Sequence, residues 1–106
     1  MWDYTEDLDV NSILKKDRPT LIFKHSNRCS ISSMALSRIS SSKSELDDIF
    51  DIYLIDVVKN RLLSLNIARD TGIQHESPQA IVINQGKVVY SASHMNIETQ
   101  SLLSNV

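Results

Sequence analysis

The sequence has one cysteine, few aromatic residues and no long hydrophobic run. The lone thiol, Cys29, excludes an internal disulfide framework, an intramolecular dithiol centre and a multi-cysteine zinc site. Aromatic residues make up 6% of the chain and the formal net charge is −2, so no nucleic-acid partner is expected. No apolar run approaches the roughly 18 residues that a membrane span needs, so no membrane association is expected.

Length and composition predict one globular domain over residues 1–106. The chain has 42% hydrophobic and 23% charged residues, a balance that argues against disorder and against a coiled coil. Residues 1–7 are acidic and lack an apolar core, so they do not resemble a secretory signal. A lone thiol without such a signal is most natural in a reducing compartment, and we expect a cytoplasmic location.

Charged residues are unevenly distributed along the chain. Residues 1–17 carry a net charge of −3, residues 18–44 carry +5 with no acid, and residues 45–106 carry −4. Cys29 therefore lies in the cationic third of the sequence. Positive surroundings stabilise a thiolate and attract anionic partners. The alternative is a chance clustering of bases on a solvated surface.

Hydrophobic periodicity predicts alternating helices and strands. Because a strand, a helix and a second strand follow one another, we expect the first two strands to be parallel and the last two to form an antiparallel hairpin. The fold class is therefore α/β, with a four-stranded mixed sheet flanked by helices. The predicted elements are a helix ending near Lys16, a strand Thr20–Lys24, a helix from about Cys29 to Ile39, a loop Ser40–Ser44, a strand Asp51–Val57, a helix Asn60–Thr71 closed by Gly72, strands Gln79–Ile83 and Lys87–Ser91, and a helix from about Asn96.

Cys29 follows a strand and a turn and stands at the start of a predicted helix. The unpaired N–H groups and the partial positive charge of a helix N-terminus favour a thiolate, and Arg28 adds a full charge beside it. Ser32 lies three residues on, where its hydroxyl and N–H can approach the sulfur. The alternative is a buried small hydrophobe. The apolar residues at core spacing argue against it, because they place Cys29 at the helix tip: Ile31, Met34 and Ala35.

Ser77-Pro78, directly before a strand, is the second candidate feature. A cis X–Pro bond is uncommon, at about 5–6% of such bonds. If this bond is cis and lies close to Cys29, the backbone of Ser77 is free to pair with an extended ligand.

Two histidines near these motifs leave alternatives open. His25 either pairs with the thiolate or forms a local hydrogen bond at the strand end, and no acid lies nearby in sequence to orient it. His75 either lines a groove beside Ser77-Pro78 or lies on the loop surface. Trp2 and Tyr4 are expected to pack on the N-terminal helix, and Met34 in the core.

The segment Phe23-Lys-His-Ser-Asn-Arg-Cys-Ser-Ile-Ser-Ser-Met-Ala-Leu36 and the segment His75-Glu-Ser-Pro-Gln79 resemble the monothiol bacilliredoxins, a thioredoxin-like family. The resemblance covers nearly the whole chain. It implies a thioredoxin-like fold, with Cys29 as the redox cysteine, Ser32 in the place of a second cysteine and Pro78 as a cis-proline beside the thiol. One departure is Ser30, where the family usually has proline, a residue suited to a first helical turn.

The resemblance also implies a substrate and a cycle. Cys29 would take bacillithiol, a low-molecular-weight thiol, from S-bacillithiolated cytoplasmic proteins, and a second bacillithiol would regenerate it. Bacillithiol would then be a co-substrate, with no tightly bound cofactor and no metal. Bacillithiol carries carboxylates, which basic residues near the thiol could attract: Lys24, Arg28 and Arg38.

Two other classes of protein remain open. One is a thiol sensor or binding module in which Cys29 is capped without turnover. The other is a dimer bridged by an iron–sulfur cluster, with one cysteine from each copy. The Gly-Phe-Ser that usually follows the cysteine of such cluster carriers is absent.

Overall fold

The four β-prone segments pair into one sheet in the computed structural model, which describes residues 2–106 and leaves out Met1 of the predicted domain. Across the sheet their order is second, first, third, fourth in the chain. The first two strands are parallel, and the third is antiparallel to the first and to the fourth. The predicted mixed sheet is therefore confirmed. The strands are β1 Thr20–His25, β2 Asp51–Asp56, β3 Gln79–Asn84 and β4 Lys87–Ser93.

Helices cover both faces of this sheet. The helix Arg61–Thr71 ends as predicted, at Gly72, whose φ of 75° is a left-handed conformation that glycine adopts readily. None of the helices described between residues 2 and 106 has the length and apolar character that a membrane crossing requires. The helices are α1 Val10–Leu14, α2 Ser30–Ser40, α3 Lys43–Ile49, α4 Arg61–Thr71 and α5 Thr99–Ser104, with a 3₁₀ turn at His94–Asn96.

The α3 helix was not predicted, since the serine-rich segment Ser40–Ser44 favours a loop. In the structure, only two residues separate α2 from α3. Two contacts stabilise α3 instead. Leu46 is fully buried, and Lys43 forms an ion pair of 2.6 Å with Asp47 one turn later.

The β1 strand is the rigid centre of the molecule. All six of its residues are buried, because it lies between two strands and beneath helices on both faces. Leu21 and Phe23 belong to the apolar cluster on the side of α2, α3 and α5, and Ile22 belongs to the cluster on the side of α1 and α4. Each such side chain contributes about 1.5–3 kcal/mol through burial. The turn that carries Cys29 therefore leaves from a well-anchored strand.

The residues before α1 lie along the sheet and α3, and the prediction that Trp2 and Tyr4 pack on the N-terminal helix is wrong. Tyr4 pairs with Leu54 of β2 in a parallel bridge. The Trp2 indole N–H donates to Asp47 of α3 at 2.7 Å, and its ring packs against the buried cluster there. An N–H donor on a partly buried ring needs an acceptor, and α1 does not provide that acceptor.

Candidate thiol site

Strand pairing brings the two predicted motifs to the same edge of the sheet. Lys24 of β1 lies opposite Gln79 of β3 in an antiparallel register. Moving forward from Lys24 leads to Cys29, whereas moving backward from Gln79 leads to Pro78. The carboxyl end of β1 and the start of β3 therefore meet, and the Ser77–Pro78 bond between them is cis.

Cys29 is the N-cap residue of α2, as the sequence predicts. Its backbone is extended (φ −116°, ψ 123°), and its carbonyl accepts the N–H of Ser33 at 3.1 Å. Its own N–H donates to the carbonyl of Ser26 at 3.2 Å, which closes the turn after β1. The side chain is partly exposed and makes no capping hydrogen bond. The sulfur therefore stands at the positive end of an 11-residue helix, in reach of solvent.

The side chain of Ser32 stabilises this turn from the interior of the protein. The side chain is fully buried, its Oγ accepts the N–H of Ser26 at 2.9 Å, and it lies 2.7 Å from Nδ1 of His25. The hydrogen bonds of the hydroxyl are thus directed at the turn and at His25. An approach of Ser32 to the sulfur of Cys29 stays a prediction.

The buried face of α2 differs from the predicted one. Met34, predicted in the core, is 54% exposed, and Ile31 is 38% exposed. The helix is rotated so that the Ser32 hydroxyl faces inward, where its hydrogen bonds satisfy it. The buried residues of this face are Ser32, Ala35, Leu36 and Ile39.

His25 makes the local hydrogen bond that was one of its two alternatives. It is 4% exposed, bonds to Ser32, and stacks on the Tyr4 ring at a centroid distance of 6.4 Å. Burial lowers the pKa of His25, and the nearby Asp56 carboxylate opposes that shift. Asp56 was missed because it is distant in sequence. The signal was present, since both residues end parallel strands that pair in register.

The cationic third of the sequence does not form a cationic surface around the thiol. Arg18 forms an ion pair with Asp51, which pairs with the far end of β1. Lys43 pairs with Asp47, and Arg38 donates to the carbonyl of Ile97 at 2.9 Å. These side chains are engaged in holding the fold, so an attraction of ligand carboxylates by Arg38 finds no support.

Arg28 is the exposed base of this set that remains. Within residues 2–106, its guanidinium makes no hydrogen bond or ion pair. Its backbone N–H donates to Oγ of Ser26 at 3.3 Å, so the side chain projects from the turn that Ser26 and Cys29 close. The residue next to Cys29 in the chain therefore carries an exposed full charge.

Lys24 lies inside the protein, which contradicts the expectation that it attracts carboxylates at the surface. The residue is fully buried. Its Nζ donates to the carbonyl of Ser64 on α4 at 3.0 Å and lies 3.1 Å from Nδ1 of His75. Burial lowers the pKa of Lys24 to about 8.

His75 faces Lys24, and the sequence did not predict this contact. Burial lowers the pKa of His75, and the charges of Lys24 and Arg61 lower it further. At neutral pH the imidazole is therefore uncharged, and its Nδ1 accepts a hydrogen bond from the Lys24 ammonium. The one available signal was a lysine that directly follows the apolar residues Leu21–Phe23 in β1.

The sequence profile of the monothiol bacilliredoxin BrxC family matches residues 3–102. The chain belongs to this family. The resemblance identified from the sequence is thereby confirmed, and the family places the protein in thiol redox chemistry. Membership of this family implies a role in a bacillithiol-related thiol system.

Solved structures share the fold of this chain. A protein with a thioredoxin fold, to which an oxidoreductase function is attributed, is 30% identical, with a TM-score of 0.82 over 96% of this chain and 90% of its own. Two thioredoxins show the same fold at a TM-score of 0.66. Mitochondrial thioredoxin 3 of Saccharomyces cerevisiae is 13% identical over 90% of this chain and 82% of its own. The thioredoxin of Fasciola hepatica is 17% identical over 92% and 88%.

The Ser32 hydrogen bonds can be tested in this bacilliredoxin by Ser32→Ala. The variant leaves the Ser26 N–H without its acceptor and His25 without its partner, so the free energy of unfolding should fall by about 1–3 kcal/mol. Urea unfolding measures the change. Ser33→Ala is the matched control, since that side chain is exposed, and it should change stability by less than about 0.5 kcal/mol. Equal effects of the two variants would contradict the role of Ser32.

The burial of Lys24 predicts a pH-dependent stability. The folded chain releases this proton near pH 8, whereas the unfolded chain releases it near 10.5. Between these values the unfolded chain binds more protons, so wild-type stability rises with pH. Lys24→Met lacks this term. Its free energy of unfolding relative to wild type should therefore decrease from pH 7 to pH 10, by on the order of 3 kcal/mol, since one pKa unit corresponds to about 1.4 kcal/mol.

Urea unfolding at several pH values checks this dependence, with Lys87→Met at an exposed lysine as the control. A difference between Lys24→Met and wild type that stays constant over this range would show that Lys24 is not buried as a charge.

Proposed function

We propose that the protein is a monothiol thiol–disulfide oxidoreductase that removes bacillithiol from S-bacillithiolated cytoplasmic proteins. One observation carries the proposal: the chain's single cysteine is partly exposed at the N-terminus of α2 in a bacilliredoxin-family fold. With no second cysteine in the sequence, the sulfur cannot close an internal disulfide. A mixed disulfide on Cys29 must therefore be resolved by another thiol molecule.

Two exchange steps complete the cycle. In the first, the Cys29 thiolate attacks the bacillithiol sulfur of the mixed disulfide. The bond to the target sulfur breaks, the electron pair leaves with the target as a thiolate, and that thiolate takes a proton from water. In the second, the thiolate of another bacillithiol attacks the bacillithiol sulfur now held by Cys29. Bacillithiol disulfide leaves, and the Cys29 thiolate is restored.

The surroundings of Cys29 support these steps. Cys29 is the N-cap residue of α2, and the positive end of a helix dipole favours a negatively charged sulfur, both as nucleophile and as leaving group. Ser77 lies outside the strands, and its backbone makes no hydrogen bond with the backbone of residues 2–106. An extended stretch of substrate can pair with it, with Pro78 beside it. Arg28 is free to face a carboxylate of bacillithiol.

An intact-mass experiment tests the function. Purified protein is mixed with an S-bacillithiolated target, and both masses are followed with time. We expect the adduct to move to Cys29 and the target to return to its free mass, after which added bacillithiol releases the adduct. Cys29→Ser should abolish both transfers. A Cys29 adduct that forms with free oxidised bacillithiol, but never by transfer from targets, would contradict turnover and identify a sensor.

The charge of Arg28 predicts a salt-dependent rate. Arg28→Gln should slow transfer from an S-bacillithiolated target by about two- to five-fold at low ionic strength, in line with an exposed ion pair. The difference should shrink as salt screens the charge. Stopped-flow rates at several salt concentrations measure it. Arg69→Gln removes the same charge at the end of α4, and an equal effect there would assign the change to net charge instead.

A further inference from the structure

A buried lysine links three parts of the chain beneath the candidate site. Lys24 lies in the central strand β1, five residues before Cys29, and is fully buried. Its ammonium contacts α4 through the Ser64 carbonyl and contacts His75, which stands three residues before Pro78. Its backbone pairs with Gln79, the residue after Pro78. One residue therefore contacts the chain on both sides of the Ser77–Pro78 bond, His75 through its side chain and Gln79 through its backbone.

We propose that Lys24 is a positioning residue for thiol exchange, which through His75 holds the segment 73–78 against the end of β1. This inference rests on the proposed function and deepens it. The backbone of Ser77 is useful to an extended substrate only if it stays beside the turn that carries Cys29. Lys24 keeps it there through its hydrogen bond to His75. Because Lys24 is fully buried, it touches neither the substrate nor the sulfur.

The segment 73–78 has few other attachments. It contains no helix or strand, so no ladder of backbone hydrogen bonds fixes it. Ile73 packs against the apolar cluster, and its N–H donates to Thr71. The Gln74 carbonyl accepts from the Gln79 side chain at 2.8 Å. At its far end, the Pro78 carbonyl accepts the N–H of His94 at 3.0 Å. Between Gln74 and Pro78, the hydrogen bond described within residues 2–106 is the one between Lys24 Nζ and His75 Nδ1.

The protonation states of Lys24 and His75 favour a directional hydrogen bond between them. At neutral pH Lys24 is charged and His75 is neutral, so the ammonium donates and Nδ1 accepts, a charge-assisted bond. A methionine of similar length would fill the site without the cost of burying an ammonium. The lysine is therefore accounted for by what it binds.

Two His75 variants separate the hydrogen bond from the bulk of the ring. His75→Asn keeps an acceptor near the position of Nδ1, whereas His75→Leu keeps bulk but removes the acceptor. With an S-bacillithiolated target, His75→Leu and Lys24→Met should each lower kcat/KM about tenfold, mainly through a higher KM, because the pairing backbone is misplaced. His75→Asn should stay within about twofold of wild type, and Lys24→Met/His75→Leu should lose no more than either single variant.

Amide hydrogen exchange gives a readout that does not depend on bacillithiol. Residues 73–78 should exchange faster in His75→Leu and Lys24→Met, but not in His75→Asn. If Lys24→Met does not fold, the two His75 variants still decide. Unchanged exchange in His75→Leu, equal loss in both His75 variants, or additive losses in the double variant would overturn the proposal. Failure of the proposed function is distinct, since wild type itself would then show no transfer.

Discussion

The pairing of β1 with β3 is the constraint on which the thiol site depends. Because Lys24 lies opposite Gln79, the chain that runs on to Cys29 and the chain that arrives through Pro78 share one edge of the sheet. Side chains alternate along a strand, so a slip of one residue would send Lys24 to the opposite face, where it would no longer reach α4. The burial of β1 on both faces fixes this register.

Much of the fold was predictable because its strands are short apolar runs separated by strong turn residues. Gly72 and the turn before Lys87 are examples whose local chemistry and final structure agree. The α3 helix was not predictable in this way, since its stability comes from Leu46 in the core and from an ion pair. The hydrophobic periodicity also predicted the wrong burial for Met34. It did not anticipate that Ser32 would lie on the buried face of α2, where hydrogen bonds satisfy its hydroxyl.

The site shows a similar division. The helix-tip position of Cys29 follows from local sequence, because a strand, a turn and a helix start are all readable there. The bases that are clustered in the sequence between residues 18 and 44 are not clustered in the structure. Most bases of the segment 18–44 bind carbonyls or carboxylates elsewhere, and Lys24 points inward. The structure therefore leaves two features for the proposed thiol chemistry, the N-terminus of α2 and the exposed Arg28.

The hydrogen bonds of Ser32 bear on how such a protein could evolve. A cysteine at this position would create a two-thiol motif by a small change of side chain. Sulfur, however, is a weak acceptor, and the Ser26 N–H and the His25 ring would both exchange a good oxygen partner for a poor one. The gain of a second thiol at this position would therefore weaken two interior hydrogen bonds, unless the residues that make them changed as well.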